Sequence, residues 1–328
     1  MTKRILAGRQ VHSVGLGCMN VAWAYGDAPA REDAVALFRR ALDAGCDHFD
    51  TANIYGAGVS EQILAEAIMD RRGEFLLATK TGIIVDGPSR GIDCSPGAIE
   101  ASIDASLGRL GTDHIDLFYM HRFDPKVPIA DSVGAMARAI EAGKIGSYGV
   151  SEWSSAHIRE AHAVHPVAAV QTEYSLWTRN VELGVLETTR ELGIALIAFS
   201  PVARGALGGE LSDVAALTAK DLRRGMPRFQ ADHWPHNLSL IEQFNQLSAD
   251  AGVTPAQLAL AWVLSRGDHV HAIPGTRSAP HFDQNHAAAG LSIDDAVLER
   301  AGALINQQTV SGHRYPETIR ATIDTEDF

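Results

Sequence analysis

Apolar and polar positions along the chain follow two alternating patterns. Short runs of nearly continuous apolar residues read as strands covered on both faces, as in parallel sheets. Between them, apolar residues recur every three or four positions, which predicts amphipathic helices. A small hairpin around Ala7–Gln10 precedes a strand at Ser13–Cys18. A helix follows over Glu32–Gly45, with Val35, Phe38 and Leu42 on one stripe and Gly45 as its stop. The predicted strands continue at Cys46–Asp50, Glu74–Lys80, Ile115–His121, Ile145–Ser151, Ala168–Glu173, Ile194–Ser200 and Val270–Gly275.

Helices are predicted between these strands at Ser60–Asp70, Asp131–Gly143, from Ser154, at Gly184–Gly193 and from Asp294. Ser95 and Pro96 open another, whose stripe of Ile99, Ile103, Leu107 and Leu110 ends at Gly111. Thr254, Pro255 and Gln257 form a capping-box pattern. The stretch between Ser200 and Thr254 reads as irregular. Strands centred near Val14, His48, Leu76, Leu117, Tyr148, Val170, Leu196 and Ala272 make eight strand–helix units, with no linker or composition break. The α/β class that fits is a single (β/α)8 TIM barrel over residues 1–328 with a short N-terminal hairpin; a doubly wound sheet is the structural alternative.

Composition adds exclusions. At 328 residues and 46% hydrophobic, the chain can bury a large core. A net charge of −12 and the absence of Lys/Arg runs argue against a nucleic-acid partner. No apolar stretch is long enough to span a bilayer, and "MTKRILAGRQ" has no apolar signal core, so no membrane partner is expected. Cys18, Cys46 and Cys94 neither pair evenly nor show metal spacing. They read as reduced thiols of a cytoplasmic protein, Cys46 in the core and Cys18 near a pocket. No metal site is expected, and homo-oligomerisation is left open.

Polar residues collect at the predicted strand ends: Asp50, Lys80, His121, Ser151, Gln171 and Ser200. Each has a bland reading alone: a turn cap, a solvated lysine, a satisfied core histidine. In a barrel, however, the C-terminal strand ends form one face, and that is where the active sites of such barrels sit. Tyr55 follows Asp50 in "FDTANIYGAG". A free phenol, with a pKa near ~10, is a poor acid at neutral pH. A lysine held charged by an aspartate would favour the phenolate. The set therefore suggests proton transfer to a carbonyl oxygen, with His121 orienting that oxygen.

These residues also carry a resemblance. "GCDHFDTANIYGAGVSE" (Gly45–Glu61) resembles the signature of the aldo-keto reductases, of the form G-x(4)-DTA-x-x-YG-x-x-E. "LATKTG", "LFYMHR", "GVS", "VQTEYSL", "FSPVARGAL" and "IPGTRS" follow in the family order, from about Leu16 to Asn285. "EYSLW" and "PRFQ" are similar to the aryl-alcohol and pyridoxal reductase branch, related to the potassium channel β-subunits. The resemblance implies an NADPH (NADP+)-dependent reductase of a small carbonyl compound, or an oxidase of the alcohol, with the catalytic tetrad Asp50, Tyr55, Lys80 and His121. It implies that Ser151, Glu152 and Gln171 meet the nicotinamide carboxamide and that Tyr174 stacks on the ring. The Ser200–Leu207 loop, with Pro201, Arg204 and Gly205, would embrace the pyrophosphate. Gly275, Thr276 and Arg277 would meet the 2′-phosphate, and Gln284 and Asn285 the adenine. Arg277 carries the preference over NADH, which stays as the second cofactor. Met19 and Trp23 join Tyr55 and His121 as substrate-pocket candidates.

The chain departs from the family at Glu152, where many members have Asn, and at Gln284, where Glu is usual. Gly15-x-Gly17-x-x-Asn20 is a broken dinucleotide fingerprint and reads as a tight strand exit. A metal-dependent hydrolase would want a His-x-His after the first strand, where "GLGCMN" stands. A redox-sensing regulatory subunit with the same fold and cofactor is the non-enzyme alternative.

Overall fold

The computed structural model describes residues 3–86 and 89–328. An antiparallel hairpin, β1 (Lys3–Leu6) and β2 (Arg9–His12), turns through Ala7 and Gly8. The parallel strands are β3 (Leu16–Gly17), β4 (His48–Asp50), β5 (Leu76–Thr81), β8 (Ile115–Met120), β9 (Ile145–Ser151), β10 (Ala169–Glu173), β11 (Ala195–Phe199) and β12 (Val270–Ile273). They are hydrogen-bonded in that order. The sheet closes on itself where Val14 bridges Ala272 and Gly17 bridges Gly275. Gly15 N donates to Ala272 O at 2.9 Å across this seam. The glycines of the broken fingerprint are explained here. A Cβ on Gly17 would lie 2.8 Å from the Ile273 carbonyl oxygen, and one on Gly15 2.6 Å from the His48 ring.

Helices α1 (Arg31–Asp43), α2 (Val59–Ile68), α3 (Pro96–Leu110), α4 (Ile129–Glu141), α5 (Ser155–Val164), α6 (Val185–Leu192) and α8 (Pro255–Leu264) connect successive strands. The expected cap signals hold. Gly111 ends α3 in the left-handed region at φ 66°. Thr254 and Gln257 make both bonds of the capping box. The stretch expected to be irregular contains α7 (Trp234–Asp250), whose buried Trp234, Ile241, Phe244 and Leu247 share a face at helical spacing. That periodicity was legible and was masked by the loop before it. Three further elements had no sequence expectation: a β6 (Ile83–Asp86) and β7 (Ser89–Ile92) hairpin after β5, α9 (Ala279–Ala287) after β12, and α11 (Glu317–Arg320) near the C-terminus. α10 (Asp295–Leu304) starts where Asp294 caps it.

Two apolar cores result. The larger joins helices to the outward faces of the strands. The smaller fills the barrel interior with Leu76, Ala78, Leu117, Tyr119, Ala169, Ala195 and Ile197, and the hairpin plugs its floor with Leu6 and Val11. Side chains alternate along a strand, so this interior register runs on to the strand ends. Leu76 and Ala78 lead to Lys80, Leu117 and Tyr119 to His121, and Ala195 and Ile197 to Phe199. Among the described residues no helix is long and apolar enough to cross a membrane.

Candidate active site

Strand-end residues Asp50, His121, Ser151, Gln171 and Phe199 open into a cleft of about 790 Å³ at the C-terminal mouth of the barrel. At its base Lys80, fully buried, donates to Asp50 and to the Thr51 carbonyl oxygen at 2.7 Å. Gln171 Nε2 donates to the other Asp50 oxygen at 2.7 Å. The Lys80 ammonium lies 5.2 Å from the centre of the Tyr55 ring. His121 meets that ring edge-on, with ring centres 6.2 Å apart. Asp50, Tyr55, Lys80 and His121, far apart in sequence, are thus brought together.

Burial opposes the charge on Lys80, but Asp50 and Tyr55 outweigh it and its pKa is raised. Burial likewise holds the Tyr55 phenol above its ordinary value, and Lys80 only partly pulls it back. Lys80 pulls the Tyr55 pKa down as expected, but desolvation is the larger effect. Burial, with Arg122 and Lys80 nearby, pushes His121 well below its ordinary value, so its imidazole is neutral at physiological pH. Its Nδ1 is buried without a hydrogen-bond partner. The base of the cleft therefore holds a protonated phenol, an ammonium beneath it and a neutral imidazole beside it.

Of the remaining expected residues, Met19, Trp23, Ser151, Gln171, Ser200, Pro201, Arg204, Gly205, Gly275, Thr276 and Arg277 line the cleft. Arg277 is exposed and donates to the Asp27 carbonyl oxygen at 2.6 Å. Thr276 Oγ1 accepts from the Ser278 amide at 3.0 Å, and Ser278 caps α9 beside it. Arg204 reaches the cleft, but its guanidinium is paired with buried Glu173 at 2.7 Å and donates to the Tyr315 hydroxyl. Ser200, Ala203 and Arg204 all take left-handed backbone angles, which wind this loop tightly.

Five of the expected cofactor residues are not among those lining the cleft. Glu152 is fully buried and turned away from the cleft. Its backbone is left-handed at φ 60°, and its carboxylate accepts from Arg314 at 2.7 and 3.2 Å and from the Glu173 amide at 2.8 Å. Tyr174 is buried against Trp262, with its hydroxyl donating to Glu182 at 2.7 Å. Leu207 is packed in the core, and Gln284 and Asn285 sit on α9 beyond the cleft-lining His281.

Other lining residues went unread. Phe199 was legible as the next inward position of β11, and Arg122 as the neighbour of His121. Tyr315, Pro316 and Ile319 come from the C-terminal segment and line the same cleft. That segment is tied down at Glu152, whose carbonyl oxygen accepts from the Asp324 and Thr325 amides. No local pattern signals that docking.

Comparison with known proteins shows the family. The Aldo/keto reductase family model matches residues 13–306. The Glycine max protein "Probable aldo-keto reductase 1" is 38% identical over 310 residues, covering 94% of this chain and 89% of that protein. A glycerol dehydrogenase of Gluconobacter oxydans has a structure similar to this one, with a TM-score of 0.85 at 27% identity, covering 92% of this chain and 94% of that one. An aldo/keto reductase of Klebsiella pneumoniae, solved with NADP and acetate, shares the fold at a TM-score of 0.75 and 24% identity, covering 96% of this chain and 99% of that one. The chain belongs to the aldo/keto reductase family and is an NAD(P)H-dependent oxidoreductase.

Proposed function

We propose that the protein interconverts an aldehyde or ketone and its alcohol with NADP(H), with Tyr55 as the proton donor. The overall reaction balances as R–CHO + NADPH + H+ → R–CH2OH + NADP+ (a ketone likewise giving a secondary alcohol). The observation that carries this reading is the buried Lys80–Asp50 pair beneath Tyr55, with His121 against the same ring. A phenol that stays protonated at neutral pH has a proton to give. Lys80 then stabilises the phenolate left behind, an interaction worth most where charge develops. Asp50 keeps Lys80 charged, and neutral His121 can hydrogen-bond the substrate oxygen without competing for its proton.

The cleft suits an extended dinucleotide, and NADPH, when bound, supplies the hydride to the carbonyl carbon. Ser151, and the Gln171 amide oxygen left free of Asp50, are hydrogen-bonding groups for a carboxamide. Phe199 offers a flat apolar ring at the mouth. Arg277 and the Ser278-capped start of α9 give a guanidinium and helix amides for a phosphate. The Klebsiella pneumoniae protein solved with NADP supports the same choice.

The test is NADPH consumption against a panel of aromatic aldehydes, sugars, quinones and cyclic ketones. Tyr55→Phe should remove nearly all turnover while NADPH still quenches protein fluorescence. A variant keeping about a tenth of the wild-type kcat would reject Tyr55 as the donor, since general acid catalysis contributes on the order of 10²–10⁴.

A further inference from the structure

Most charged side chains at the reactive end of the cleft have a counter-charge. Asp50 has Lys80, Arg204 has Glu173, and Arg223 is held by both oxygens of Asp221. Arg122 is different. It lines the cleft immediately after His121 and is half-buried. Its Nη1 donates to the His121 carbonyl oxygen at 2.6 Å, and among the described residues no carboxylate lies at ion-pair distance from it. Glu152 and Glu173, behind the cleft wall, are already engaged by Arg314 and Arg204. Ile54, Ile83, Pro316 and Ile319 line the same cleft and are apolar.

A half-buried guanidinium on the cleft wall, with no carboxylate bonded to it among the described residues, is free to take an anion that the substrate brings. With Nη1 tied to the backbone, Nε and Nη2 remain as the parallel edge that grips a carboxylate in a bidentate contact. A phosphate dianion would demand more donors than one guanidinium among apolar walls supplies. We propose that Arg122 anchors a carboxylate on the substrate, so that the substrates are carbonyl acids: aldehydes or ketones whose carboxylate stands a few bonds from the reacting carbon. This rests on the reductase reading above. The carboxylate is unchanged by the reaction.

The test compares 3- and 4-carboxybenzaldehyde with their methyl esters, as kcat/KM with NADPH, for wild type, Arg122→Met and Arg122→Lys. One charge-assisted contact corresponds to roughly a ten- to hundredfold preference for at least one acid over its ester in wild type. In Arg122→Met that ratio should fall to about one, mainly through KM, and Arg122→Lys should restore part of it. A wild-type ratio near one, or an equal loss on acid and ester in Arg122→Met, overturns the proposal and leaves Arg122 as a support for His121. If the esters are reduced in a Tyr55-dependent way without acid preference, only this inference fails. If no aldehyde is reduced at all, the reductase reading fails. The anion site is then judged by titrating benzoate against benzamide, with and without NADP+. A wild-type preference for benzoate that Arg122→Met abolishes upholds the site, and equal binding rejects it.

Discussion

Two of the buried charge networks in this barrel differ in what they present to the cleft. Behind the cleft wall, Glu152 accepts from both Arg314 nitrogens, the Glu173 amide and the Thr172 and Thr325 hydroxyls, while Glu173 takes Arg204. Burial opposes the Glu152 carboxylate, but Arg314 foremost outweighs it and its pKa is lowered. The carboxylate oxygens there are filled and the network holds the C-terminal segment, although among the described residues the buried Arg204 Nε has no hydrogen-bond partner. At the cleft base, Lys80 and Asp50 are also paired, but Tyr55 and His121 line the cleft, and among the described residues the buried His121 Nδ1 has no hydrogen-bond partner. Buried charge alone therefore does not mark chemistry. The cleft base differs in setting a cleft-lining hydroxyl, Tyr55, against its buried charge.

The largest expected effect breaks the reactive side. Lys80→Met should lower kcat by about 10²–10⁴, the range for positioned proton transfer. Asp50→Asn should act in the same direction, and the double variant should lose much less than the product of the two, because coupled groups are non-additive. Steady-state rates for the four proteins decide it; fully multiplicative losses would mean that Lys80 and Asp50 act separately.

On the saturated side, Arg314→Met strands a buried carboxylate and should cost about 3–5 kcal/mol of stability, seen in urea unfolding. Glu152→Gln in the same chain should recover much of that. Its rate loss should stay well below that of Lys80→Met; an equal one would show that the tail network tunes the chemistry.

Arg277 belongs to neither network. Arg277→Ala should weaken NADPH roughly ten- to hundredfold while leaving NADH nearly unchanged, read as dissociation constants at low salt. Equal weakening of both would assign Arg277 to loop support.

A last effect concerns His48, buried in the barrel with neither ring nitrogen bonded among the described residues. Burial depresses its pKa to about 4, with Asp47 opposing only weakly. The unfolded chain takes up this proton near pH ~6.5 and the folded chain does not, so stability is lost as pH falls below that value. Between pH ~6.5 and the folded value near 4, removing the group with His48→Asn should flatten the pH dependence of stability by about 1.4 kcal/mol per pH unit. An unchanged slope in urea titrations would place the acid sensitivity elsewhere.

The eight barrel strands, the N-terminal hairpin and the strand-end places of Asp50, Lys80 and His121 were legible in the chain, because each follows from local rules. Periodicity locates the strands, and alternation carries the inward register to Asp50, Lys80 and His121. The same rule, followed along β11, reaches Phe199. What sequence reading misplaced depends on contacts between distant segments. Glu152 looks like a cleft residue by position, but Arg314, 162 residues later, claims its carboxylate. Tyr174 looks like a stacking ring until Trp262 and Glu182 take its face and hydroxyl. Tyr55 looks acidified by Lys80 until burial is weighed. A side chain's covalent type and strand parity are properties of its neighbourhood in the chain; its partners and its exposure to water are set by packing, and those decide which of two buried charges can react.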